Sequence, residues 1–323
     1  MPEIVSIIVP LFNRQSLVEE TIRSVKQQTY GHWELLMVDD GSTDQSLEVA
    51  KRSAADDNRI QIWRRQSSVK GAPACRNEGL NRASGQWAIF LDSDDLLSRE
   101  CLEARLKFAQ ENPGRDFYVF PTELFKKTPG DLSQVWFRPA DDQLAAFLLK
   151  PSWQTTSSFW PIQSIRKLKG FREDLLSWQD WELHVRAIAK QMTFGMCHGE
   201  ADNFCRRGLA TRISIRAERD KRHLENRQLL FRDIHQLLVD ENAYNDLRRK
   251  NFRIQCSRLG VKMIRSGFSE MVGPWLNAMV DAGIIEADKL AIIDKQIKEE
   301  SRLTLRQRIQ EWKLKMVSWM SRG

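Results

Sequence analysis

An alternation in the first 120 residues constrains the fold more than any other feature. Ile4–Val9 is a β-branched run ending at Pro10, and residues 15–27 then space Leu17, Val18, Ile22 and Val25 as one helix face. Trp33–Val38 is again a continuous apolar run, stopped by Asp39, Asp40 and Gly41. Thr43 and Asp44 suit a cap for the next helix, which reaches about residue 55. Ile60–Trp63, Trp87–Leu91 and Phe117–Phe120 read as further strands, with helices over Ala74–Arg82 and Ser98–Gln110. Continuous apolar strands between helices predict an α/β fold whose mostly parallel sheet is covered on both faces. Such sheets bind ligands at the carboxyl ends of their strands. That rule singles out Pro10–Arg14, Asp39–Asp44 and Asp92–Asp95.

After about residue 125 the alternation fades. Residues 126–180, rich in Trp, Pro, Ser and Thr, read as loops around a site. From about 215 onward the pattern is helical, with a break expected at Gly273-Pro274. The natural division is therefore 1–210 and a helical extension over 211–323. With 41% apolar and 29% charged residues, the 323-residue chain has the composition of a soluble globular protein. Its N-terminal run is short and β-branched, so it is expected to be a first strand and not a signal peptide. No apolar run is long enough to span a bilayer. Five scattered cysteines, never as CxxC, predict free thiols in a reducing cytosol. The net charge of +7 is uneven: residues 206–323 carry 25 basic against 15 acidic side chains, residues 1–205 carry 25 against 28. A basic back half is either a solvated helical face or a surface for anionic partners.

Three segments carry chemistry. In Leu91-Asp92-Ser93-Asp94-Asp95, an extended backbone aims Asp92 and Asp94 the same way. Converging carboxylates repel unless a cation lies between them, and a hard ion such as Mg²⁺ or Mn²⁺ with substrate phosphates fits. The bland alternative is a cap for the following helix. In Val38–Asp44, Gly41 permits a sharp turn, and an aspartate there can accept from a base N–H or a ribose hydroxyl. For Ser42, Thr43 and Asp44 a turn with a helix cap is the better reading. The segment Lys70–Asn77 offers a glycine, two cations and an amide near a helix start, suited to phosphate contact, but it is no P-loop.

Taken in order, SIIVPLFNR, ELLMVDDGSTDQS and KGAPACRNEGLNRASGQWAIFLDSDD resemble the family 2 glycosyltransferases, whose nucleotide-sugar fold is called GT-A. A fourth block, Gly170–Glu173 followed by Gln179-Asp180-Trp181-Glu182-Leu183, resembles the family's acceptor-side segment. The resemblance implies an inverting transfer of a sugar from a nucleotide-sugar donor, by default a UDP-sugar, to an acceptor hydroxyl. The acceptor would be a surface polysaccharide or lipid-linked glycan, and the enzyme cytoplasmic, at the inner membrane face. It places Pro10, Phe12, Asn13 and Arg14 along the base and ribose, and Asp40, with Asp39 beside it, on the base. Arg76 falls near the base and phosphates. Asp94 is implied as the direct ligand of a divalent metal (Mn²⁺ or Mg²⁺), with Asp92 nearer the ribose and Ser93 between them on the donor. Asp180 is implied as the catalytic base. Trp178, Trp181 and Glu182 would line the acceptor pocket. Indole faces suit sugar stacking, but for any single one of Trp153, Trp160, Trp178 and Trp181 core packing is the more frequent explanation.

The chain departs from the family pattern at Gln179, where an acidic residue is common, and at Ala72–Cys75 before Arg76-Asn77. Of the family's aromatic-Arg-x-His block only Phe204-Cys205-Arg206-Arg207 remains, and His184 and His198 are expected to be structural. Leu305, Ile309, Trp312, Met316 and Trp319 recur at helical spacing, flanked by Arg302, Arg306, Arg308, Lys313, Lys315 and Arg322. Residues 302–322 would thus lie in a membrane interface or pack on residues 215–300 or a second subunit. Two other classes compete. An inactive binding module is opposed by the retained Asp92, Asp94 and Asp180. A sugar nucleotidyltransferase should show a glycine-rich loop where Pro10–Arg14 stands. No nucleic-acid recognition motif is present.

Overall fold

A computed structural model describes residues 2–208 and 220–302. Strands β1 (Val5–Leu11), β2 (Trp33–Asp39), β3 (Ile60–Arg64) and β4 (Trp87–Phe90) alternate with helices α1 (Val18–Lys26), α2 (Ser46–Ala54) and α3 (Ala72–Arg82). β1 pairs in parallel with β2 and β4, and β2 with β3. Then follow β5 (Leu96–Leu97), α4 (Cys101–Glu111), β6 (Phe117–Val119), β7 (Thr122–Phe125) and β8 (Gln134–Trp136). Next come α5 (Gln143–Leu149), β9 (Ser158–Pro161), α6 (Ile162–Lys167), α7 (Gln179–Ala189), β10 (Phe194–Met196) and β11 (Asn203–Arg206). The main sheet has the order β10-β6-β9-β4-β1-β2-β3, and β5-β11-β7-β8 form a smaller one. β9 runs antiparallel to both its neighbours, which makes the main sheet mixed.

The pleat sends alternate residues of β1 to two cores. Val5, Ile7, Val9 and Leu11 join α1, α2 and α4 on one face, while Ile8 joins α3 on the other. At that second face Gly79 lets α3 press on β1, where a Cβ would meet Ile8 Cγ2 at 2.5 Å. Helices α1, α2 and α4 have no side-chain N-cap. A cap is worth about 1 kcal/mol, but each buried aliphatic side chain contributes roughly 1.5–3 kcal/mol. Packing of Val18, Ile22 and Val25 therefore decides α1. Asp44 does not cap α2, as the sequence had suggested; it stands one residue outside the cap and accepts from Ser46 N at 2.9 Å.

Residues 126–180 are not the open loops expected from their composition, since α5, α6, β8 and β9 lie within them. These elements span only three to seven residues, too few for a period to show. Two of their tryptophans, Trp153 and Trp160, are core, with Trp160 stacked on Phe117. All five cysteines are free thiols.

Helices α8 (Lys221–Asp240), α9 (Asp246–Arg265), α10 (Val272–Asp281) and α11 (Leu290–Arg302) complete the described chain. Gly273-Pro274 does not break a helix; it lies in the first turn of α10, where proline is tolerated. α9 docks on α5 through Asn251 Nδ2, which donates to Ala145 O at 2.8 Å, and Arg248 Nε, which donates to Asp142 at 2.9 Å. One buried apolar cluster runs from Ile8 and Phe90 through Trp181 and Phe231 to Trp275 and Ile297. The two sides of the expected 210/211 division thus share a core. Among the described residues no helix is long and apolar enough to cross a membrane. The stripe Leu305–Trp319 lies outside the described residues.

Candidate active site

β4 ends at Phe90, paired with Ile8, whereas β1 continues to Leu11 beside β2. This stagger opens a crevice at the carboxyl end of the sheet. Pro10 lies beyond the last β4 partner, so its missing N–H removes no bond between those strands.

Asp92, Ser93 and Asp94 form a turn, not the extended strand end predicted, with Asp95 N donating to Asp92 O at 3.0 Å. The turn, and not the pleat, brings the carboxylates together. Ligand atoms of Asp92, Asp94 and Asp95 all lie within 4.8 Å of one another. Such an all-oxygen set suits Mg²⁺ or Mn²⁺. Arg76 Nη2 meets Asp92 Oδ1 at 2.5 Å, and Arg14 Nε meets Asp94 Oδ2 at 3.3 Å. Arg76 is buried beside the ring of Phe171, and among the described residues its Nε and Nη1 have no hydrogen-bond partner. Two orphaned guanidinium donors facing a carboxylate turn call for an acceptor such as a phosphate. Ser93 is buried in the turn.

The two neighbouring aspartates of β2 part company. Asp39 is fully buried and accepts from Gly41 N, Ser42 N and Arg64 Nε at 3.1–3.3 Å. It is a turn anchor, which corrects its expected place on the donor. Asp40 keeps a partly accessible edge, fixed by Arg65 Nε at 2.6 Å and Gly71 N at 2.9 Å. The second contact requires the positive φ of Gly71, +113°. Asn13, at φ 49°, laces its loop to the next: its Oδ1 accepts from Thr43 N at 2.9 Å, and its own N donates to Ser42 Oγ at 3.1 Å. Arg14 N donates to Ser46 Oγ at 2.6 Å. Phe12 is 46% exposed at the crevice, an apolar face open for a base. Lys70 is exposed on the loop before α3.

Across the crevice Asp180 sits in the first turn of α7. It retains a partly accessible edge, yet its carboxyl is largely stripped of water, and this desolvation raises its pKa. The Trp181 N–H and the charge of Arg76 act the other way, and the charge of Asp92 adds to the rise. Asp180 therefore stands in the field of both Asp92 and Arg76. Beneath it, His184 Nδ1 meets the Asp180 carbonyl at 2.7 Å and Nε2 meets Ser158 Oγ at 2.7 Å. A carbonyl only accepts, so Nδ1 carries the proton and Nε2 accepts. Burial pushes His184 down to about 4, a neutral structural residue.

The expected acceptor pocket changes most. Trp181 is buried and donates to Phe147 O at 2.7 Å. Glu182 is buried and paired with Arg186 Nε at 2.6 Å. Both belong to the core, because α7 turns that face toward α5 and α6. Trp178 is half-buried with φ 65°, a left-handed conformation costly for a bulky side chain. Its ring packs on Trp181 and on Phe231 of α8, with the Arg227 guanidinium 4.8 Å away. Trp178 thus hinges the entry to α7 against the C-terminal helices.

Arg206 was absent from the expected site. Its N donates to Asp95 Oδ1 at 2.8 Å, its Nε to Asp94 O at 3.0 Å and its Nη2 to Glu20 Oε2 at 2.5 Å. Thr21 Oγ1 holds Asp95 O from the other side at 3.0 Å. The aromatic-Arg pair at 204–206 was the available signal, but only the tertiary fold brings it under the acidic turn.

Residues 6–163 match the family model described as glycosyl transferase family 2. A GalNAc(5)-diNAcBac-PP-undecaprenol beta-1,3-glucosyltransferase of Campylobacter jejuni is 37% identical over 134 residues, 42% of this chain and 42% of that protein. The chain spans about two fifths of the length of the curated relatives it matches. The crystal structure of S. aureus TarS 1–349 in complex with UDP-GlcNAc superposes with a TM-score of 0.67 at 16% identity, covering 95% of this chain and 92% of that one. Mannosyltransferase PcManGT from Pyrobaculum calidifontis, in complex with GDP-Man and Mn²⁺, gives 0.54 at 17% identity, covering 96% and 83%. What is shared at such identities is the fold, GT-A.

Proposed function

Through residues 6–163 the chain belongs to glycosyl transferase family 2, and we propose that it is an inverting, metal-dependent glycosyltransferase. It would carry a sugar from a UDP-sugar to a hydroxyl of a surface polysaccharide or lipid-linked glycan. One observation carries this reading: a desolvated carboxyl, Asp180, faces an acidic turn and a half-satisfied arginine across one crevice.

Each group then has a task. Phe12 covers the base, Asp40 accepts from it, and the Arg76 donors reach the diphosphate. Asp92 and Asp94 would hold Mn²⁺ or Mg²⁺, which neutralises charge on the departing diphosphate. Asp180 accepts the acceptor's proton as that oxygen attacks the anomeric carbon from the face opposite the leaving group. Its raised pKa makes it a stronger base than an ordinary aspartate.

The test is nucleotide release from a panel of UDP- and GDP-sugars by the full chain. Release from one donor with Mn²⁺ or Mg²⁺, lost with chelator and in Asp180→Asn, supports the assignment. Donor binding without turnover across a panel of acceptors, unchanged in Asp180→Asn, would sink it.

A further inference from the structure

A second polar cluster lies beyond the crevice, where α5 ends. Arg258 Nη1 donates to Leu149 O at 2.7 Å, and Arg138 Nη1 to Pro151 O at 3.4 Å. Lys150 stands between those two carbonyls in sequence. Trp136 Nε1 donates to the same Pro151 O at 3.1 Å, and the Arg207 guanidinium lies 4.9 Å from the Trp136 ring centre. Four cations thus gather around three consecutive residues. Among the described residues Lys150 has no side-chain hydrogen bond or ion pair, and Arg207 has only its indole contact.

Like charges at one place repel, and a freely solvated set would spread apart. Here two are fixed by backbone carbonyls and a third by an aromatic face. The carbonyl end of α5 explains one or two of them, not four. Partial burial, and then the charges of Arg138, Arg258 and Arg207, hold Lys150 below the ordinary lysine range. Short stretches of chain connect the cluster to the candidate active site. Arg207 follows Arg206, which bonds the Asp94 carbonyl, and Lys150 lies three residues past Phe147, whose carbonyl receives the Trp181 indole next to Asp180.

We propose that Arg138, Lys150, Arg207 and Arg258 form an anion subsite that takes a phosphate group on the acceptor side of the reaction. The subsite itself is read from the cluster; its assignment to the acceptor rests on the glycosyl-transfer reading. Phosphate ester oxygens accept from guanidinium and ammonium together, and the Trp136 face holds Arg207 ready for them. The phosphate is borne either by the acceptor or by an anionic lipid headgroup beside it.

Inorganic phosphate is titrated calorimetrically into the full chain saturated with UDP and Mg²⁺. The expected result is saturable binding, weakened about tenfold or more in K150Q/R207Q and restored in K150R/R207K. No saturable binding by the wild type, equal binding by K150Q/R207Q, or equal loss in both double variants overturns the subsite. Flotation then distinguishes the sources, using vesicles of phosphatidylcholine alone and of equal parts phosphatidylcholine and phosphatidylglycerol. Extra capture by the anionic vesicles that K150Q/R207Q loses assigns a headgroup; phosphate binding without that difference assigns the acceptor. UDP and GDP titration of the wild type reads the donor crevice separately. If neither UDP nor GDP binds, the glycosyl-transfer reading falls, while the phosphate titration, repeated without nucleotide, still decides the cluster.

Discussion

The two walls of the crevice are built on different principles. The donor wall hangs on strand ends, and most of its side chains are fixed within the α/β half: Asp39 by its own turn, Asn13 by Thr43, Asp40 by Gly71, although Arg206 ties the acidic turn from far along the chain. The acceptor wall rests on remote parts of the chain. Asp180 is placed by a helix whose entry residue, Trp178, is wedged against Phe231 and Arg227 more than forty positions later. A wall tied within the sheets tolerates change in the C-terminal helices, whereas a wall propped on those helices inherits their stability.

That contrast can be broken or sharpened by substitutions on both walls. The largest effect is expected for Asp180→Asn, a fall in kcat of about 10²–10⁴-fold with UDP affinity unchanged in calorimetry. Because folded Asp180 holds its proton more tightly than an unfolded aspartate, its contribution favours the fold below the unfolded pKa and is lost as pH rises through the folded one. Asp180→Asn should therefore melt no lower than the wild type at neutral pH, and slightly higher. Asp94→Asn comes next, with a loss of about 10²–10³-fold and weakened metal-dependent UDP binding, since this change strikes the donor wall.

Trp178→Ala should lower kcat by roughly tenfold, an estimate for a base displaced but still present, and leave UDP binding intact. Equal damage to UDP binding would erase the distinction between the walls. A smaller kinetic effect is expected from Glu182→Gln, which leaves Arg186 half-partnered in the core. Breaking such a pair costs about 3–5 kcal/mol, visible as a lower Tm, while acceptor KM stays within about twofold. In the pH profile, the acid limb of kcat/KM should lie above that of an ordinary aspartate, because desolvation raises Asp180. Asp92→Asn removes a charge that adds to the rise and should move the limb of its residual activity to lower pH.

How much of this was legible in the sequence follows from the same contrast. β1, β2, β3, β4 and β6 could be read within a residue or two, since continuous apolar runs report burial on both faces directly. The acidic turn and Asp180 could be read as residue types, and the blocks around them as a family resemblance. Geometry could not. Asp39 and Asp40 are chemically identical, and only the turn that buries one shows which faces the crevice. Trp181 and Glu182 share a helix turn with Asp180, so the resemblance put them in the pocket, while tertiary packing put them under it. Arg206 reaches the acidic turn across more than 110 residues, a distance that no local pattern encodes. The short elements within 126–180 lack the length for any period to emerge.

The seven-residue ladder joining β1 to β2 has a further consequence. It works as a vernier. Sliding one strand past the other by a single position would exchange the roles of two adjacent carboxylates, sending the inner one outward and the outer one under the turn. Residues far from the crevice, such as the Val5 and Trp33 partners at the far end of that ladder, therefore help to determine which carboxylate the crevice presents.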